Sequence, residues 1–97
     1  MRFEIVLAPE AVRDLKRLRA HDRAVVKDSI ERHLRHWPTR TSKSRIKRLR
    51  GVSRPQFRLR VGEIRVFYDV IENTVQVLAI IPKSIALHWL EEVGDES

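Results

Sequence analysis

The 97-residue sequence contains no cysteine, only three glycines and no long apolar run. The absence of cysteine excludes disulfides and thiolate metal sites, and it leaves the redox compartment open. No apolar segment approaches the roughly 20 residues of a membrane helix, and residues 1–4 do not begin a signal peptide. Walker, Rossmann, zinc-site and nucleophile-elbow patterns are also missing. We therefore expect a cytoplasmic protein that uses no metal and no cofactor and enters no membrane.

Acidic residues are scarce in the middle third of the chain. The whole chain has 20 lysines and arginines against 13 aspartates and glutamates, which gives a net charge of +7. Between residues 40 and 65 the only acid is Glu63. The same window contains the basic residues Arg40, Lys43, Arg45, Lys47, Arg48, Arg50, Arg54, Arg58, Arg60 and Arg65. Because a solvated surface would mix both signs, this distribution indicates a protein that binds nucleic acid or an acidic partner.

The first forty residues predict one strand and a helical hairpin. Residues 2–7 alternate like a strand, and Pro9 and Glu10 suit the start of a helix that runs to about residue 19. Asp22 is expected to cap a second helix, which Pro38 ends. The apolar stripes expected to face the core are Val12, Leu15 and Leu18 on the first helix and Val26, Ile30, Leu34 and Trp37 on the second.

The rest of the chain predicts strands and one last helix. Residues 38–45 form a basic loop, 46–50 a short strand and 52–55 a turn, and 74–81 form a central strand that is apolar on nearly both faces. Ser84 is expected to cap the last helix. The fold class is therefore α+β in one domain, 1–97: a small antiparallel sheet with two N-terminal helices on one face and a short C-terminal helix. The other face of the sheet is expected to be free.

Residues 57–68 predict a hairpin whose two strands are joined by Gly62 and Glu63. Gly62 suits the first central position of a type II′ turn, which needs a positive φ. This register places Arg60 opposite Arg65 and Arg58 opposite Phe67, all on the face away from the core. Like charges opposite each other destabilise a sheet, so an anionic ligand is the simplest compensation. Arginine suits phosphate because its guanidinium donates two parallel hydrogen bonds.

Two aromatic residues of this hairpin have different expected roles. Phe67, beside Arg58, either stacks on a nucleic-acid base or covers the edge of the sheet. Tyr68 lies on the core face and is expected to be structural. Trp37 and Trp89 lie on helical stripes and are expected to contact the core or a partner.

Three segments of the chain carry a resemblance: Leu49-Arg50-Gly51, residues 57–61, and residues 64–68 with the Arg-x-x-Tyr pattern of Arg65 and Tyr68. In these segments the chain resembles the RelE/ParE family of toxins from type II toxin–antitoxin systems. The resemblance covers nearly the whole chain and implies a RelE-like fold. Family members of the RelE kind are metal-independent endoribonucleases that cut messenger RNA on the ribosome. The implied partners are a cognate antitoxin, messenger RNA and the ribosome, with operator DNA bound only as the toxin–antitoxin complex.

The resemblance implies that Arg58, Arg60 and Arg65 occupy the positions of basic residues of the family. With them, the candidate catalytic residues are Arg58, Arg60, Arg65, Lys83 and His88. The concentration of charge and the aromatic ring beside it give the candidate RNA-binding residues Lys43, Arg45, Lys47, Arg48, Arg50 and Phe67. The basic loop from Arg40 to Arg50 is either a phosphate-contacting surface or a docking site for an acidic antitoxin segment. The family pattern of a basic pair and a later tyrosine after the last strand is not present, since Lys83 is the only basic residue there and no tyrosine follows.

Three functions remain open from the sequence. RNA cleavage without metal needs fixed positive charge and an acid–base group near neutrality, a role for which arginine is too basic and histidine is suited. His88 is either that group or an ordinary exposed helix residue. The chain is then a ribosome-dependent endoribonuclease, a ParE-like toxin that inhibits DNA gyrase without catalysis, or a non-toxic subunit that helps a partner bind DNA.

Overall fold

The computed structural model describes residues 1–96, so Ser97 of the expected 1–97 domain lies outside the described residues. The helices are α1 (Pro9–Arg17), α2 (Ala20–Leu34) and α3 (Lys83–Val93). The strands are β1 (Glu4–Leu7), β2 (Ile46–Arg48), β3 (Val52–Arg54), β4 (Phe57–Val61), β5 (Ile64–Ile71), β6 (Thr74–Pro82) and β7 (Asp95–Glu96). No helix within residues 1–96 is long and apolar enough to cross a membrane.

Five strands form the main sheet in the order β1-β6-β5-β4-β2. The pairs β2–β4, β4–β5 and β5–β6 are antiparallel, as expected, whereas β1 runs parallel to β6. A parallel pair needs a long connection between its strands, and here that connection contains α1, α2 and the other strands of the sheet. The predicted α+β class is confirmed, and β6 has the central position that its apolar sequence indicated.

The hairpin of β4 and β5 has the register predicted from its sequence. Arg60 pairs with Arg65, Arg58 with Phe67, and Phe57 with Tyr68. Gly62 has a φ of 57°, while Glu63 does not have a positive φ. A positive φ at the first central position alone is the type II′ geometry, which matches the right-handed twist of the flanking strands.

The main core lies between one face of the sheet and helices α1 and α2. Leu15 of α1 and Val26, Ile30 and Leu34 of α2 are buried at helical spacing against the sheet. Three details of the prediction are wrong. Val12 is exposed, and Ala11 beside it is buried instead. Arg19, not Asp22, is the N-cap of α2. Trp37 is 57% exposed, because α2 ends at Leu34 and Trp37 no longer lies on the buried face of that helix.

Helix α3 lies on the opposite face of the sheet, so that face is not entirely free. Phe67, Ala79 and Ile81 form a second buried cluster there, and Trp89 of α3 packs against it. The same face of β4 and β5 also carries Arg58, Arg60 and Arg65. Pro82, not Ser84, is the N-cap of α3.

The segment after β2, expected to be a turn, contains β3, which pairs with β7. Asp69 of β5 fixes the following segment. Its carboxylate is buried and accepts hydrogen bonds from Arg54 Nε and from the backbone N–H of Gln56, both at 2.8 Å. This anchor holds the start of β4 in register beside β5.

Candidate nucleic-acid interface

The arginine cluster, defined here as Arg58, Arg60 and Arg65, lies on the face of the sheet that α1 and α2 do not cover. Arg60 and Arg65 are directly opposite each other, and Arg58 lies on the same face of β4. Directly opposed like charges cost free energy unless something offsets them. The three side chains differ in burial and in hydrogen bonding, and these differences decide what each can do.

Arg65 is buried, with 7% of its surface exposed. Its Nη1 donates hydrogen bonds to the carbonyl oxygens of Gly62 at 2.8 Å and of Ile64 at 3.1 Å. The expectation that Arg65 lies on an open face is therefore wrong. The side chain is a fixed positive charge beneath the surface, and its removal leaves two carbonyl groups without this donor.

Arg58 is half-buried and has unused hydrogen-bonding capacity. Its Nη2 makes a long bond of 3.4 Å to the carbonyl oxygen of Ser44. Its Nε is the one buried side-chain nitrogen or oxygen within residues 1–96 that has no hydrogen-bond partner. Burial and the charges of Arg65 and Arg60 lower the pKa of Arg58. A bound oxyanion would supply the missing acceptor and offset the repulsion between the arginines.

Strand β2 adds a second like-charge pair to this surface. Lys47 is directly opposite Arg58 in the antiparallel pairing of β2 and β4, so both side chains lie on the same face of the sheet. The sequence marked Lys47 as basic but did not predict this pairing, because β2 is three residues long and its register follows from the fold. Lys47 and Arg60 are exposed and flank the half-buried Arg58.

The other candidate RNA-binding residues are distributed over different surfaces. Arg48 lies on the opposite side of β2, with its guanidinium 5.1 Å from the centre of the Phe57 ring. Lys43, Arg45 and Arg50 are exposed. Of these, Arg45 lies nearest the cluster along the backbone, because its carbonyl oxygen accepts a hydrogen bond of 2.8 Å from the N–H of Arg60.

Phe67 is not available to a nucleic-acid base in this structure. Only 1% of its surface is exposed, and its ring stacks on Trp89 with centroids 4.9 Å apart and planes 21° apart. Of the two roles expected for Phe67, the structure supports hydrophobic cover. The sequence could not show this, since it did not reveal that α3 returns to this face.

The two candidate residues on α3 lie in different surroundings. The backbone N–H of Lys83 donates to the carbonyl oxygen of Glu63 at 2.7 Å, which places the start of α3 beside the hairpin turn. The side chain of His88 is 73% exposed and lies 3.1 Å from Glu92 on the same helix. His88 is therefore an exposed helix residue. Within residues 1–96, no three His, Asp or Glu side chains are grouped as metal ligands.

This geometry can bind an oxyanion and stabilise additional negative charge on it. Fixed arginines do so without reorganising during a reaction. They do not transfer protons near neutral pH, because the guanidinium is too weak an acid. The surface thus offers electrostatic stabilisation and no histidine to act as acid or base.

Comparison with known proteins gives a consistent family. The sequence model for the ParE toxin of type II toxin-antitoxin systems matches residues 5–87. No curated protein matches the chain significantly.

Solved structures with the same fold include three toxin–antitoxin complexes. A chain of the RelB-RelE antitoxin-toxin complex from Methanococcus jannaschii is 24% identical, with a TM-score of 0.68 over 87% of this chain and 96% of that one. A chain of the RelBE2 complex from Mycobacterium tuberculosis is 25% identical, with a TM-score of 0.68 over 84% and 99%. A chain of the RelE-RelB complex from Pyrococcus horikoshii is 21% identical, with a TM-score of 0.64 over 86% and 97%.

Proposed function

Because the chain belongs to the ParE toxin family of type II toxin–antitoxin systems, we propose that this toxin binds messenger RNA on the arginine face of its sheet and cuts it on the ribosome. The observation that carries the proposal is Arg58, whose half-buried guanidinium has a nitrogen without a partner beside two further arginines. A phosphate group would supply both the negative charge and an acceptor for this nitrogen. The fold shared with RelE complexes supports the same assignment.

The proposed reaction is an attack by the ribose 2′-hydroxyl on the adjacent phosphate. The bond from phosphorus to the 5′-oxygen breaks, the 2′-hydroxyl loses its proton, and the leaving oxygen gains one. Arg58 and Arg60, over the buried charge of Arg65, stabilise the extra negative charge on phosphorus. No histidine of the described chain lies in the cluster to move the protons, and a missing acid or base typically costs about 10²–10⁴ in rate. The ribosome compensates by holding the message in a reactive conformation.

The test compares cleavage of one RNA with and without programmed ribosomes, in the presence of a chelator. We expect wild type to cut only with ribosomes, and Arg58→Ala to reduce cutting while retaining the fold. Arg19→Ala removes one exposed positive charge just before α2, which covers the opposite face of the sheet, and is expected to cut normally. His88→Ala is also expected to cut normally. Equal rates with and without ribosomes, or a requirement for metal, would contradict the mechanism.

A second candidate is a non-catalytic toxin that inhibits DNA gyrase. It is favoured by the match to a ParE model and by the position of His88 away from the arginines. Expression in cells separates the two candidates. New internal ends in translated messages support the nuclease, whereas intact messages together with double-strand breaks in DNA support gyrase inhibition.

We further propose a cognate antitoxin as the partner that neutralises this toxin, since the similar structures are toxin–antitoxin complexes. An acidic segment of the antitoxin would cover the basic face and offset the charge of +7. Operator DNA would be bound only by the toxin–antitoxin complex. Because its proposed target is translation, the toxin would act in the cytoplasm. An association rate that does not change with salt would argue against the basic face as the antitoxin site.

A further inference from the structure

A cavity of about 380 Å³ lies between the end of α2 and the start of β2, beside Trp37, Arg40 and Arg45. Trp37 is the exposed aromatic ring of this cavity, and the guanidinium of Arg40 lies 6.0 Å from its centre. A single exposed apolar side chain is common in proteins. An exposed indole with arginines on the same cavity wall is a more specific arrangement, because both groups bind the flat face or the phosphate of a nucleotide.

The cavity has a positive electrostatic environment. Within residues 1–96, neither Arg40 nor Arg45 forms an ion pair, whereas Arg32 is paired with Asp28 at 3.0 Å. His33 also lines the cavity. Burial, followed by the charges of Arg45 and Arg32, lowers the pKa of His33, against a smaller opposing effect of Asp28. The positive charges of Arg40 and Arg45 are therefore not offset by a carboxylate in this cavity, which favours an anionic ligand.

The cavity is joined to the arginine cluster through Arg45. The side chain of Arg45 lines the cavity, and its carbonyl oxygen accepts the hydrogen bond from Arg60. The loop before it is ordered, because Ser42 Oγ accepts hydrogen bonds from the N–H groups of Arg45 at 2.9 Å and Ile46 at 3.2 Å. Arg45 is thus the residue that links the wall of the cavity to the strand that carries Arg58 and Arg60.

We propose that this cavity is a nucleotide subsite for single-stranded RNA, in which one base stacks on Trp37 and its phosphate lies between Arg40 and Arg45. The proposal takes RNA as the ligand from the proposed function, but it does not require cleavage. An acidic peptide would also pair with the arginines, yet it has no flat group to stack on the exposed part of the indole, which Arg40 and the ring of His36 flank. The subsite would hold the strand in place beside the arginine cluster and would fix which nucleotide lies there.

The test measures binding of a short fluorescent 2′-O-methyl RNA by anisotropy, since this RNA cannot be cut through its blocked 2′-oxygen. We expect Trp37→Ala to weaken binding by about 5- to 150-fold, the range of one base–aromatic stack, and Trp37→Phe to restore most of the affinity. Arg45→Ala is expected to reduce the slope of log affinity against log salt by about 0.7, one phosphate contact of a single strand. Arg19→Ala serves as the charge-matched control at the other end of α2.

The proposal is overturned if Trp37→Ala binds the RNA as tightly as wild type. It is also overturned if a glutamate hexapeptide displaces the labelled RNA as effectively as unlabelled RNA of the same length. The result is separable from the proposed function. If the RNA binds through Trp37 and wild type cuts no message, the nuclease assignment fails and the subsite stands. If wild type cuts messages and Trp37→Ala binds normally, only the subsite fails. Thermal melting of each variant checks the fold, and an exposed side chain such as Trp37 is expected to change it little.

Discussion

The variant Tyr68→Phe tests whether the tyrosine of the hairpin is structural. Tyr68 is fully buried, and its hydroxyl donates a hydrogen bond of 2.6 Å to the carbonyl oxygen of Pro38, which is also buried. Burial raises the pKa of this phenol, so the hydroxyl stays protonated near neutral pH. The variant keeps the ring stacked on Phe57, at a centroid distance of 5.5 Å in wild type, and removes only the donor.

The expected cost follows from the carbonyl group that is left behind. A buried acceptor without a donor costs about 1–3 kcal/mol, and for a domain of this size each kcal/mol lowers the melting temperature by about 4–8 °C. We therefore expect Tyr68→Phe to melt well below wild type. The Trp37→Phe variant changes an exposed ring and is expected to stay within about 0.5 kcal/mol of wild type.

Circular dichroism melts of wild type and both variants measure this effect, and growth inhibition well below the melting point of Tyr68→Phe measures function. We expect the variant to remain toxic there, because Tyr68 points to the helical core and away from the arginine cluster. An unchanged melting temperature would refute the structural role of the hydroxyl. Loss of toxicity in a fully folded variant would show that the hydroxyl acts in the function.

Asp69→Ala should lower the free energy of unfolding by roughly 2–3 kcal/mol, because it leaves the N–H of Gln56 and the Nε of Arg54 without their acceptor. An unchanged urea midpoint would contradict this. Glu72→Gly should raise stability by about 0.5–1 kcal/mol, since Glu72 has a φ of 55° and glycine adopts this conformation without strain; a lower melting temperature would count against it. Burial and neighbouring arginines lower the pKa of His33 in the folded state. The folded state then binds fewer protons than the unfolded chain, so stability falls as pH drops below about 6.5. His33→Gln should reduce that fall in urea titrations at several pH values, and identical pH profiles for both proteins would refute the assignment.

Local patterns in the sequence were sufficient for the hairpin of β4 and β5. The alternation of apolar and basic residues around Gly62 fixed both the turn type and the pairing of Arg60 with Arg65, as the structure confirms. These features depend only on a two-residue periodicity and on the φ that the turn requires. The apolar spacing of Val26, Ile30 and Leu34 gave the buried face of α2 for the same reason.

Features that depend on distant contacts could not be obtained in this way. Three such features are the exposure of Trp37, the burial of Arg65 and the contact of Phe67 with Trp89. Each of them depends on how segments that are distant in the sequence pack together. The helical stripe indicated a core or partner contact for Trp37. Periodicity alone does not show that α2 stops at Leu34 and leaves this ring exposed.

The sequence by itself determined the class of the fold, the hairpin register and the concentration of positive charge in residues 40–65, because these are properties of neighbouring residues. Only the tertiary structure decided how that charge is arranged. The pairing of β2 with β4 places Lys47 opposite Arg58. The packing of α3 removes Phe67 from the surface, and the end of α2 leaves Trp37 in a basic cavity. Each of these depends on long-range packing, which a local pattern does not encode.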